Sequence, residues 1–236
     1  MIRDNLNEVR QNIALHCKAI GRDPSEVTLI AVSKTKPLSM VQEAMEAGQT
    51  VFGENKVQEM CEKHESLKSD QPVEWHLIGH LQSNKVKKAV SVATLIHSVD
   101  SVSLAKEIDK QAEKLGKIQD ILLEVNVAEE ESKFGFNLQQ AEEAVPEILN
   151  MKNIRLRGFM TVAPFTEDAE DNRKYFRSLK QLMVDINAKY IDNKNINVLS
   201  MGMSGDYKVA IAEGATYIRV GTSIFGERDY SLQKGN

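Results

Sequence analysis

The sequence is short of cysteine, of charge of one sign and of long apolar runs, and each shortage removes a class of protein. Only Cys17 and Cys61 occur in 236 residues, far apart and in no metal-binding or redox spacing. That excludes a disulfide framework and points to a reduced, cytoplasmic setting in which both thiols pack. Thirty Lys and Arg against thirty-four Asp and Glu give a net charge of −4. Such a balance lacks the basic excess that nucleic acid or an anionic membrane surface calls for. No apolar stretch approaches the ~18–20 residues of a transmembrane helix. The N-terminus, MIRDNLNEVRQNIALHCKAIG, is amphipathic and carries acids, unlike a secretory signal or a transit peptide. Neither a Walker-type phosphate loop nor GxGxxG occurs, which disfavours nucleotide binding.

What is present is an alternation. Short β-branched runs fall at 27–33, 50–54, 74–79, 94–99, 120–127, 154–160, 197–202 and 216–221. Helical spacing fills the gaps: Leu38, Val41, Ala44 and Met45 make one apolar stripe, and Ala105, Ile108, Ala112 and Leu115 another. Phe176, Leu179, Met183 and Ile186 make a third. An amphipathic helix precedes the first strand, with Leu6, Val9, Ile13, Cys17 and Ile20 on one face and Gly21 as its stop. Most strands are near-continuous apolar runs, as a parallel sheet covered by helices demands. Eight such units over about 210 residues predict an α/β fold, a (β/α)8 barrel with an extra N-terminal helix, of the size such barrels have. A doubly wound sheet would carry a glycine-rich turn after its first strand. Here that place reads Ser33-Lys34-Thr35-Lys36-Pro37. No linker or repeat breaks the series, so residues 1–236 are expected to form one domain.

Barrel active sites sit at the C-terminal ends of the strands. Lys34 stands immediately after the first. A lysine in a partly desolvated pocket becomes a nucleophilic amine suited to a Schiff base. Lys36 is its rival, further from the strand and held extended by Pro37. After the seventh strand comes Gly202-Met203-Ser204-Gly205-Asp206, opening a short helix at 207–212. After the eighth comes Arg219-Val220-Gly221-Thr222-Ser223. Glycines admit an anion to backbone amides, hydroxyls add donors, and these two loops are the recurrent phosphate site of such barrels. A Schiff-base lysine beside a phosphate cradle suits pyridoxal 5′-phosphate (PLP), and it equally suits a phosphosugar aldol substrate.

These same segments carry a family resemblance. VSKTKP (32–37), FGEN followed by VQE (52–59), WHLIGHLQSNK (75–85), LSMGMS (199–204) and RVGTSIFG (219–226) resemble the PLP homeostasis proteins, relatives of the N-terminal barrel of alanine racemase. The resemblance runs over nearly the whole chain. It implies a fold-type III PLP barrel with Lys34 carrying the cofactor and Ser204, Gly221 and Thr222 holding its phosphate. It further implies Arg219 facing the pyridine nitrogen, Asn55 near the ring and Ser200 supporting Arg219. Lys133 falls where the racemases place an arginine near the phenolic oxygen. An arginine stays protonated, so the pyridine nitrogen opposite it is not, and the ring is a weak electron sink.

A two-base racemase needs a base on each face of the bound substrate. In alanine racemases the second is a tyrosine of a C-terminal β-domain from the partner subunit. Here the barrel is expected to take up the chain and leave no such domain; Tyr207, Tyr217 and Tyr230 are candidates only by lying near the right end of the chain, and each is expected to pack or to be a surface ring. The expectation is therefore a cytoplasmic, monomeric PLP carrier that buffers the cofactor and delivers it to apo-forms of PLP-dependent enzymes, with effects on amino-acid and keto-acid balance. The alternative is a PLP-dependent racemase of low or narrow activity. His76 and His80 straddle a strand end rather than sharing a helix face, so zinc chemistry is unsupported; His76 is expected to pack inside the barrel. Gln82–Lys85 reads as a helix cap, Glu129–Glu131 as a solvated loop, and Lys85, Lys87 and Lys88 as a wet helix face.

Overall fold

A computed structural model describes residues 1–68, 71–190 and 196–227. Eight parallel strands close into a barrel in sequence order, with β1 (Thr28–Val32) hydrogen-bonded to both β2 (Val51–Glu54) and β8 (Tyr217–Val220). Between them run β3 (Glu74–Leu77), β4 (Leu95–Val99), β5 (Gln119–Glu124), β6 (Ile154–Met160) and β7 (Val198–Met203). This is the expected (β/α)8 barrel, and each strand falls where an apolar run placed it. The fifth is shorter than expected. After Glu124 the ladder reduces to a single bridge between Val125 and Phe136, and Asn126 turns the chain by binding the Glu130 and Lys133 carbonyls.

The extra helix α1 (Ile2–Ala19) buries Ile2, Leu6, Val9, Ile13 and Cys17. Burying aliphatic side chains of this size stabilises by roughly 1.5–3 kcal/mol each, enough to dock the helix. Its polar edge ties neighbouring segments together, with Asn5 Nδ2 donating to the Ile224 carbonyl and Arg10 Nη1 to that of Ala47; just past its end, Arg22 Nη1 donates to the Ile211 carbonyl. Ile20, expected on the apolar face, is exposed, because the helix stops there and Gly21 turns the chain.

Helices α2 (Leu38–Glu46), α3 (Val57–Ser66), α4 (Val86–Val92), α5 (Val102–Lys114), α6 (Leu138–Leu149), α7 (Arg173–Lys189), α8 (Tyr207–Ala212) and α9 (Thr222–Phe225) cover the sheet. Helix α5 starts on Ser101, whose Oγ accepts from the Leu104 amide, and ends before Leu115, which is exposed rather than part of the stripe. Helix α6 begins with a reciprocal cap between Asn137 and Gln140. Trp75 and Phe52, with ring centroids 5.7 Å apart, anchor one side of the core and Phe159 and Phe176 the other. Cys17 is buried and Cys61 half-buried, and burial pushes both thiols up from their ordinary range. Among the described residues no helix is long and apolar enough to cross a membrane.

Candidate functional site

Lys34 is half-buried at the C-terminal end of β1, the second residue of a turn closed by the Lys36 amide donating to the Ser33 carbonyl. Thr35, the third, lies in the left-handed region at φ 62°. A β-branched residue pays for that conformation, so the surroundings must hold it. They do so from both sides. Glu59 Oε1 accepts from the Thr35 amide at 2.6 Å, and Lys63 Nζ donates to the Ser33 carbonyl at 2.7 Å. The same ammonium pairs with Glu54 at 2.7 Å and Glu59 at 2.8 Å, while Ser33 Oγ donates to Glu54 Oε1 at 2.6 Å. Burial pushes the Glu54 carboxyl up, although Lys63 and Ser33 oppose it. Lys63, a charged residue on the buried face of α3, is thus the centre of a clamp that fixes the backbone on either side of Lys34.

Lys36 is directed elsewhere: its Nζ donates to the Glu227 carbonyl at 2.6 Å. Asn55 follows β2 and is half-buried; a Cβ at Gly79 would come within 2.3 Å of the Asn55 carbonyl oxygen, so only glycine lets the two strand ends approach.

On the far side of β1, the loops after β7 and β8 meet. The Gly221 amide donates to Ser204 Oγ at 3.4 Å, Gly221 begins α9, and Thr222 and Ser223 are exposed in its first turn. Gly202, at φ 90°, lets the loop turn against α8, where a Cβ would meet that of Ala210 at 2.6 Å. Ser204 and Ser223 line a cavity of about 720 Å³ that runs out toward Asn12 and His16 of α1.

Arg219 is only 4% exposed. Its Nη1 donates to Ser200 Oγ at 2.6 Å and its Nη2 to the Thr161 carbonyl at 2.7 Å, so both partners are neutral. Burial lowers it to about 10, with Asp206 and Glu124 opposing from nearby, and it remains charged at neutral pH. Glu124 is lifted by burial, with Asp100 adding, to about 7. Ser200 therefore touches Arg219 as expected. It also touches His97 Nδ1 at 2.9 Å, and His97 Nε2 lies 2.9 Å from His76 Nδ1. His76 packs inside the barrel, while His80 lies outside it, paired with Asp100 at 3.1 Å and stacked on Phe134. Lys133 pairs with Glu130 and reaches the Val162 carbonyl, lining a cavity of about 540 Å³ with Phe165 and Met203.

The tyrosines separate. Tyr217 opens β8 in register with Thr28, at the end of the barrel opposite Lys34. Tyr207 is buried in α8, and Tyr230 lies outside the described residues. Sequence reasoning missed Glu54, Glu59, Lys63, His97, Thr161 and Glu124. A visible signal existed for three of them, since Glu54, His97 and Glu124 are ionisable residues within the apolar runs at 50–54, 94–99 and 120–127.

The profile of the alanine racemase N-terminal domain family matches residues 5–229. A pyridoxal phosphate homeostasis protein of Aquifex aeolicus is 44% identical over 227 residues, covering 96% of this chain and 98% of the relative. The chain belongs to the pyridoxal phosphate homeostasis protein family. A family member of Escherichia coli K12 is 38% identical over 233 residues, 98% of each chain. PipY of Synechococcus elongatus PCC7942, solved with PLP bound, superposes with a TM-score of 0.85 at 36% identity, over 96% of this chain and 100% of PipY. Alanine racemase of Clostridium difficile 630, at 15% identity and a TM-score of 0.67, shares the fold; 96% of this chain matches 55% of that one. The end of the barrel that carries the family's motifs offers an amine, a buried guanidinium on neutral partners, two hydroxyl-bearing loops and helix-start amides. That donor set fits a phosphorylated carbonyl compound such as PLP.

Proposed function

We propose that this protein holds PLP as a Schiff base of Lys34 and serves intracellular PLP homeostasis, buffering the cofactor and delivering it to apo-forms of PLP-dependent enzymes. Amino-acid and keto-acid balance would follow from that supply. The observation that carries the reading is the meeting, at one barrel end, of a lysine with both flanking peptides pinned, a buried Arg219 and the Ser204–Gly221 contact. The membership in a family of pyridoxal phosphate homeostasis proteins and the PLP in PipY support it.

PLP supplies an aldehyde for an amine to capture and a ring that withdraws electrons. Lys34 provides the amine. Ser204, Gly221 and Thr222 would hold the phosphate, Asn55 would lie beside the ring and Lys133 near its phenolic oxygen. Arg219, held by Ser200, would face the pyridine nitrogen; a donor charged at neutral pH there would keep that nitrogen unprotonated and favour holding over turnover. Tyr217, at the opposite barrel end, and the buried Tyr207 are badly placed to serve as a racemase's second base. We read residues 1–236 as one domain and the protein as a cytoplasmic monomer whose partners are PLP and apo-enzymes, not nucleic acid or membrane.

Purified protein should show a yellow absorption that Lys34→Ala abolishes and Lys36→Ala retains. It should leave single-enantiomer amino acids unracemised and activate a PLP-free enzyme more effectively than free PLP does. Protein that stays colourless after incubation with PLP overturns the cofactor assignment. Rapid racemisation of a common amino acid overturns the carrier in favour of the enzyme.

A further inference from the structure

Five polar groups form a single file through the barrel. Arg219 of β8 donates to Ser200 of β7; Ser200 meets His97 of β4; His97 meets His76 of β3. His76 Nε2 in turn faces Glu74 Oε2 at 3.6 Å, on a side chain more than half exposed at the N-terminal end of β3. Ser200, His76 and His97 are buried to within 1%. Four different strands contribute to this file, and its buried members sit where apolar side chains would fill the space more cheaply.

The file has a direction. A neutral imidazole has one donor nitrogen and one acceptor, and the short contact between His97 Nε2 and His76 Nδ1 needs one of each. Burial drives His97 well below the ordinary histidine range, with His76 and Arg219 adding to the effect, and lowers His76 against the opposing pull of Glu74. Both rings are therefore neutral at pH 7. If protons ran from floor to mouth, His76 Nε2 would turn a lone pair toward the Glu74 carboxylate. Ser200 Oγ would also accept from both Arg219 and His97, leaving its own proton without a use in the file. If they run from mouth to floor, each donor has an acceptor: Arg219 to Ser200, Ser200 to His97 Nδ1, His97 Nε2–H to His76 Nδ1, and His76 Nε2–H toward Glu74.

We infer that His97 and His76 are positioning residues for Arg219, acting through Ser200 as a one-way hydrogen-bond wire whose floor end faces the Glu74 carboxylate. The inference rests on the reading that Arg219 faces bound PLP. Ser200 has two lone pairs and one proton. Once His97 Nδ1 accepts a hydrogen bond from that hydroxyl, the oxygen's lone pairs are turned toward the guanidinium, and with the Thr161 carbonyl on Nη2 the guanidinium plane is fixed. The N–H groups it has left are then held at one orientation for a ligand.

Histidine-selective nitrogen NMR on the unmodified protein tests the direction. Both His97 and His76 should be neutral at pH 7 and carry the proton on Nε2; a proton on Nδ1 of His97 overturns the wire. PLP titration tests its purpose. His97→Phe keeps a ring but breaks both contacts, and it should weaken PLP retention about tenfold, the scale of one hydrogen bond to a charged group, and move the visible absorption maximum. Ser200→Ala should do the same and Ser200→Thr should restore both readouts; this pair decides the question if His97→Phe does not fold. Arg219→Ala separates the layers. If it changes affinity and absorption while His97→Phe and Ser200→Ala change neither, the wire is not positioning and the inference falls alone. If Arg219→Ala changes neither, the reading of Arg219 falls and the inference falls with it.

Discussion

The two sides of the barrel mouth hold their cations in opposite ways. Beside β1 and β2, Lys63 is wrapped by Glu54, Glu59 and the Ser33 carbonyl, two of its three partners charged. Beside β7 and β8, Arg219 is as deeply buried but rests on a hydroxyl and a carbonyl, with Asp206 and Glu124 acting only from a distance. The first arrangement spends its charge internally and leaves a fixed backbone. The second leaves the guanidinium without a direct ion pair in a low-dielectric wall, where a ligand's lone pair can take up its N–H groups. A paired ion is scaffolding; a cation on neutral partners is still open for business with a ligand.

Removing the centre of the paired side should have the largest effect. Lys63→Met strands Glu54, whose Oε2 already lacks a hydrogen bond among the described residues. Stability in urea should fall by about 3–5 kcal/mol, the cost of leaving a buried charge alone. Adding Glu54→Leu should recover much of that loss, and failure to recover it would mean that the cluster is not a closed ion group. The neutral side should be more forgiving. Ser200→Ala leaves Arg219 and His97 each short of one partner and should cost about 1–3 kcal/mol by the same measurement.

Glu124 sharpens the contrast through pH. Its folded carboxyl is lifted to about 7 from an ordinary 4.5, so the folded state keeps the proton to higher pH than the unfolded state does. Its contribution is fully present below about 4.5 and is lost as pH rises through about 7. Glu124→Gln in the PLP-free protein should flatten the stability profile across that interval; an unchanged slope would show that Arg219 compensates Glu124 fully. Lys36→Ala should do least, within about 0.5 kcal/mol, because it removes one partly exposed bond to a carbonyl.

The strands were legible because a covered parallel sheet needs apolar runs on both faces, and eight such runs leave few architectures to choose from. Helices α3 and α6 were not legible. In α3 the third buried position after Val57 and Met60 is Lys63, so its apolar stripe is broken by a charge. In α6 Pro146 interrupts a helix that its capping box starts firmly. Within the site, Lys34 stood out as a charge at the end of an apolar run, and Arg219 through the family resemblance. Ser204 and Gly221 stood out because strands seven and eight end there. Of their partners, only Ser200 was named, and that through the family resemblance. Ser33, Glu54, Glu59 and Lys63 become one cluster only when β1, β2 and α3 are packed. The Arg219–Ser200–His97–His76 file needs the barrel closed, since its members come from strands far apart in the sequence.

Thr35 gives the mouth a mechanical character. With Ser33 tied on one side and Thr35 tied on the other, the peptide carrying Lys34 is a rigid mount rather than a hinge. Movement of its amine then has to come from the four side-chain torsions of Lys34 rather than from the backbone. Under the Schiff-base proposal, the reach of that nitrogen is set by the length of one lysine within a fixed frame.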